Sequence, residues 1–193
     1  MASTLLPFRQ VHENDVVNLF ANDGSSATRG LIVKLKTTAG WDIDDDLGTD
    51  SINNSYANTV SDRYNVKARV ETCTSGDTPF GMLMYDVAET DENGEKLIYH
   101  PRKAHEMQVS VSGQAVPVLT KGIVLVNMPL ADHNSQTIAA ATELYAGDAG
   151  AMIAHGSPSG KGLRRVGTCL GPTGANGELL VKLDFAGKND IVA

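Results

Sequence analysis

Aromatic side chains are scarce in this chain, 5% of 193 residues, with a single Trp. A core must therefore be assembled from Val, Leu, Ile and Met, around nineteen glycines that favour many tight connections. Cysteine is nearly absent as well. Cys73 and Cys169 lie far apart in sequence and belong to no paired ligand motif, which excludes a disulfide framework and leaves two buried thiols or one bridge. Positive charge is in deficit, 16 Lys and Arg against 23 Asp and Glu, a net of −7. That balance works against binding nucleic acid through its phosphates, where a basic stripe would supply most of the affinity, so no nucleic-acid partner is expected. Long apolar runs are also missing. Nothing approaches the roughly 20 residues that span a bilayer, and Met1 to Gln10 lacks a signal peptide's basic start and apolar centre. No membrane partner is expected, and the chain should be made in the cytoplasm and stay there until any assembly step.

What the chain does contain is strand signals. Gly30 to Lys36 alternates, Phe80 to Val87 is apolar on both faces as a strand between two layers would be, and Glu178 to Phe185 puts Leu179, Val181, Leu183 and Phe185 on one side. Ala68 to Thr72, Gln108 to Ser112, Ala149 to Ala154 and Arg164 to Leu170 add weaker strands. Ala115 to Leu119 and Ile123 to Val126, joined by Thr120-Lys121-Gly122, predict a hairpin. Pro117 cannot donate a ladder hydrogen bond, so its strand is placed at a sheet edge or a bulge. Val116, Pro117 and Val118 thereby become candidates for a subunit interface. Asn93-Gly94 predicts a type I′ turn between strands. The fold class is all-β, a barrel or sandwich with long loops and at most one or two short helices, the alanine-rich Ser135 to Leu144 being one place for a helix.

At this length one domain is expected, able to bury roughly 70% of the surface its unfolded chain would expose. Residues 1–14 form an N-terminal arm and residues 15–193 the β-rich domain, with a polar insertion at about 42–64. In the arm, Leu5, Leu6 and Phe8 surround Pro7, too few residues for a helix and interrupted by proline. An extended segment that lies across a partner is one reading and a terminus packed on its own domain the other.

Candidate chemistry is thin. Gly167-Thr168-Cys169-Leu170-Gly171 has the spacing of a nucleophile elbow, but Pro172, Gly174 and Gly177 stand where the following helix should begin, and no histidine comes after His155. A cysteine hydrolase using Cys169 is thus the enzymatic alternative to a non-enzymatic protein. Gly156 to Lys161 lacks a spacer residue of a phosphate loop. A calcium loop starting at Asp42 has Leu47 and Asn53 where glycine and a bidentate glutamate are needed. His12, His100, His105, His133 and His155 are scattered without helical i,i+4 spacing. No catalytic residue, metal ligand or cofactor is assigned.

Two stretches, SGQAVPVLTKGIVLV at Ser112 to Val126 and VGTCLGPTGANGELLVKLDF at Val166 to Phe185, resemble the capsid decoration, or cement, proteins of tailed double-stranded-DNA phages. The resemblance implies a virion protein on the capsid exterior that binds the major capsid protein, self-associates as a homotrimer and stabilises the shell. It also suggests Leu5, Leu6, Pro7 and Phe8 as capsid contacts, since a terminal arm in such proteins can add to a capsid-protein sheet. A tail-tube or other head component is the alternative among structural proteins.

Overall fold

The computed structural model describes residues 5–8, 10–22, 26–36, 69–111, 114–127, 131–132, 138–154, 164–174 and 177–185. The polar insertion at 42–64, Trp41, His133, His155 and the glycine-rich Gly156 to Lys161 lie outside them. The fold is all-β, with one short α-helix among the described residues. Its strands are β1 (Leu5–Pro7), β2 (Val16–Asn22), β3 (Ile32–Leu35), β4 (Arg69–Thr72), β5 (Gly81–Leu83), β6 (Asp86–Ala88) and β7 (Val109–Val111), followed by β8 (Ala115–Leu119), β9 (Lys121–Asn127), β10 (Ala131–Asp132), β11 (Glu143–Ala146), β12 (Met152–Ala154), β13 (Arg165–Cys169) and β14 (Glu178–Asp184). The helix, α1, is Pro101–Glu106.

Two sheets share the work of making a core. One is a closed barrel in the order β2-β4-β3-β5-β8; the other is a seven-stranded sheet, β1-β9-β14-β13-β11-β12-β10. Strands β3 and β5 stand between the two apolar clusters. Ile32 and Met82 pack with Leu119, Val124, Val126, Leu179, Val181 and Leu183 against the large sheet, while their neighbours Val33 and Leu83 pack with Val70, Val116 and Val118 inside the barrel. This is why Phe80 to Val87 is apolar on both faces: successive side chains point to opposite sides, and both sides are buried. That stretch is not one strand, however. At Met84, whose N–H bonds the Pro117 carbonyl at 3.0 Å, the chain leaves the barrel, and β6 pairs in parallel with β7 in a separate two-stranded sheet.

The hairpin expected from Ala115 to Val126 does not form. β8 lies in the barrel between β2 and β5, whereas β9 lies in the large sheet between β1 and β14. One residue, Thr120, separates them, too few to reverse the chain, and it is pinned to the Asp15 carbonyl by its N–H at 2.7 Å and its hydroxyl at 2.9 Å. The chain therefore bends from one sheet to the other, as strands do at the corners of packed sheets. Pro117 is accommodated by a bulge. Val17 pairs with Val118 and Phe20 with Val116, so β2 carries one residue more than β8 across this stretch, and no ladder bond from Pro117 is required.

The connection after β6 carries the helix. Thr90 and Lys96 bridge around a loop in which Asp91 N–H bonds Glu95 O at 3.0 Å, with only Gly94 left-handed at φ 80°. This is a three-residue loop with a glycine bulge, not the expected type I′ turn. Pro101 begins α1, where a missing N–H costs nothing, and Gln108 at φ 56° ends it. Six residues are too few to be helical alone, so packing must hold them: Ala104 is buried with Leu97 and Val111. A polar clamp adds to this. Lys103 Nζ bonds Asp91 and, at 2.9 Å, Glu95, while Asp91 Oδ1 accepts from the N–H groups of Asn93 and Glu95 at 2.9 and 2.8 Å. No helix covers the described part of Ser135 to Leu144: Ile138 is buried, a turn follows, and β11 begins at Glu143.

The clamp gives the helix module an acid sensitivity. The Lys103 ammonium, then the two backbone donors, hold the Asp91 carboxyl below its usual range. A depressed folded pKa contributes stability that is present above the unfolded value of about 4 and is lost as pH falls through the folded one. Amides of residues 97–111 are therefore expected to lose hydrogen-exchange protection below about pH 4, before those of the barrel, and Asp91→Asn should remove that pH dependence. Equal protection of module and barrel down to pH 2 would show that the clamp does not hold the helix.

Candidate docking surface

Strands β1, β9, β14 and β13 are consecutive neighbours in the large sheet, and their registers line up one residue from each. Leu6 lies opposite Leu125, Leu125 opposite Leu180, and Leu170, just past β13, donates its N–H to the Leu180 carbonyl at 2.8 Å. All four side chains are on the outer face, because the alternate residues Leu5, Val124, Val126, Leu179, Val181 and Cys169 are turned into the core. Leu6 is 51% and Leu170 43% exposed, with Leu125 and Leu180 half-buried between them. Phe8, 57% exposed, stands in the next row beside Ile123. The inner face is packed on the barrel, so this outer face points away from it. A contiguous apolar band on a solvated sheet is unusual enough to mark a binding surface.

The outer edge of β1, which pairs with no other described strand, is less accommodating. Phe8 N–H points into the sheet, to the Ile123 carbonyl at 3.0 Å, so alternation directs the Pro7 nitrogen outward, where proline offers no donor. The edge is blunted against strand addition while the face beside it stays apolar.

A second apolar surface lies on the helix module. Tyr99 is 75% exposed and follows the exposed Ile98, which with Tyr85, Pro101, His105, Val109 and Gln114 lines a groove of about 240 Å³. The module hangs on the barrel through the Ala27–Val87 bridge and through Arg29, whose N–H bonds Asp86 Oδ1 at 2.7 Å and whose guanidinium bonds Gln108 Oε1 at 3.1 Å.

The residues singled out from sequence fare unequally. Leu5 is 6% exposed and belongs to the core, so it is not available as a capsid contact; Leu6 and Phe8 are accessible. Val116 and Val118 are fully buried inside the barrel, and β8 is flanked on both sides, which removes Val116, Pro117 and Val118 as a subunit interface. Cys73 and Cys169 are unpaired and buried. Burial pushes the Cys73 thiol up to about 12, and burial also raises Cys169, whose Sγ donates to the Gly171 carbonyl at 2.9 Å. A catalytic thiolate needs the opposite shift, and the turn after Cys169 leads through Gly171 and Gly174 into β14 without a helix. Among the described residues no group of three or more His, Cys, Asp or Glu is placed to hold a metal ion.

The leucine row and the Tyr99 surface were not evident from sequence. Each leucine is an isolated apolar residue in its own strand, and only the register joins them. Compared with known proteins, the chain matches no protein-family model and no curated protein.

Proposed function

We propose that this chain is a non-enzymatic structural protein of a phage virion that binds the outside of the capsid and stabilises the shell. The observation that carries the reading is the placement of exposed apolar surface at two separate sites, the outer face of the large sheet and the Tyr99 surface hung on the barrel. A protein that ties neighbouring subunits together needs two such contacts. Parts of the stretches that resemble decoration proteins also meet in space: β9, β14 and β13 are consecutive neighbours in the large sheet, although β9 ends at Asn127 and β13 begins only at Arg165. The capsid contact in this reading is Tyr99, an aromatic anchor on the module braced by the Lys103 clamp, with Ile98 next to it. Binding to the assembled shell and not to free subunits then stabilises the shell by mass action. A tail-tube role would call for strand edges that pair into rings, yet β8 is closed in the barrel and β1 is blunted by Pro7.

The test is co-sedimentation with DNA-free heads of the phage that encodes the protein. Saturable binding and a raised melting temperature of the shell are expected. Tyr99→Glu should weaken binding at least about tenfold, a loss of about 1.4 kcal/mol or more, with unchanged thermal unfolding of the protein itself. A wild-type chain that fails to pellet with heads would end the capsid reading, and a Tyr99→Glu chain that binds normally would move the contact elsewhere.

A further inference from the structure

We propose that two copies of this chain pair face to face across the outer side of the large sheet, with the leucine row lying along a two-fold axis. A two-fold axis within a face-to-face contact preserves position along itself and reverses position across itself. Rotation about the row therefore lays each of Leu6, Leu125, Leu180 and Leu170 against its own counterpart.

The charges on β14 make that operator self-complementary. Glu178 and Lys182 are both exposed on the outer face, two residues to either side of Leu180. Each stands about 7 Å from the row, given a rise of about 3.4 Å per residue, so the rotation sets Glu178 of one copy over Lys182 of the second copy, twice. Packed sheets lie about 10 Å apart, a gap that a glutamate and a lysine can close between them. A shift of the axis by one residue along β14, towards Lys182, would instead lay Lys182 against Leu180 of the second copy and Glu178 against Asp184. Four strands about 4.8 Å apart and five residues long give a contact on the order of 300 Å² in projection. That is well below the roughly 800 Å² per partner of a standard interface, so pairing is reversible and concentration-dependent. The blunted β1 edge fits this arrangement, since copies meet by faces and not by strand addition.

Sedimentation of the full chain at low salt, from about 1 to 200 μM, tests the proposal, because reversible pairs of this size dissociate in that range. A monomer–dimer equilibrium is expected. Glu178→Lys alone and Lys182→Glu alone each turn two attractive pairs repulsive and should weaken it about tenfold or more, while the double swap should restore it to within about threefold. Leu170→Asp should abolish it without changing thermal unfolding. A monomer at every concentration, a trimer indifferent to these charges, or a double swap no better than the singles would overturn the proposal. The measurement uses the protein alone, so failure to bind heads leaves it standing and its own failure leaves the capsid reading standing.

Discussion

Gly167→Ala is expected to lower the melting temperature by roughly 10 °C or more, the largest effect of any single methyl group in the described fold. Gly167 lies opposite Leu183 in the pairing of β13 with β14, at the middle of the large sheet. A Cβ there would stand on the Lys182 carbonyl oxygen, with the Lys182 carbonyl carbon at 3.1 Å and Leu183 Cα at 3.2 Å. These are backbone atoms of a paired strand and cannot rotate away. Overpacking against side chains typically costs about 1–3 kcal/mol, and a clash with backbone on the central strands should cost more, against a total stability of about 5–15 kcal/mol. Gly171→Ala is the control: nothing lies within 4 Å of its Cβ position and its φ is not positive, so it should melt like the wild type. Thermal unfolding followed by circular dichroism separates the two. Equal melting of both variants would mean that β13 and β14 do not meet in this register.

Much of the strand content was legible because period-2 alternation with one wet face is a local property. Glu178 to Asp184 shows it plainly, its core side chains Leu179, Val181 and Leu183 all fully buried. Strand partners are not local. Nothing in Ala115 to Val126 distinguishes a hairpin from a strand that changes sheets, and the deciding contact, Thr120 with Asp15, spans 105 residues. Pro117 in a strand implies an edge or a bulge, and the choice between them depends on β2 carrying the extra residue. Helix α1 is not legible in the sequence because six residues contain less than two turns of periodicity, and Pro101 alone cannot announce a helix. The candidate docking surface was the least legible. Leu6, Leu125, Leu180 and Leu170 come from four strands, and a one-residue change of register would send any of them into the core.

Removal of residues 1–10 is expected to destabilise the domain and to promote its aggregation, and not simply to free a dispensable arm. Leu5 is buried with Val124 and Val126, and loss of such a side chain typically costs about 2–5 kcal/mol. The Phe8 N–H bond to Ile123 goes with it, offset in part by the entropy no longer spent in ordering β1. A fall in melting temperature of roughly 5–10 °C follows for a chain of this size. The more damaging consequence is the new edge. Without β1, the seven residues of β9 become the border of the large sheet, apolar on the inner face, half-buried on the outer, and with no proline to interrupt their backbone donors. That strand can pair with β9 of another molecule, so the truncated protein should aggregate at concentrations where the intact chain stays clear. Point variants separate the contributions: Leu5→Ala should lower the melting temperature without creating an edge, whereas Leu6→Ala and Phe8→Ala, whose side chains are exposed, should leave it nearly unchanged. If the truncated chain melts with the intact one and remains soluble at high concentration, β1 is not an integral strand of the sheet, and the first ten residues are free to lie across a partner.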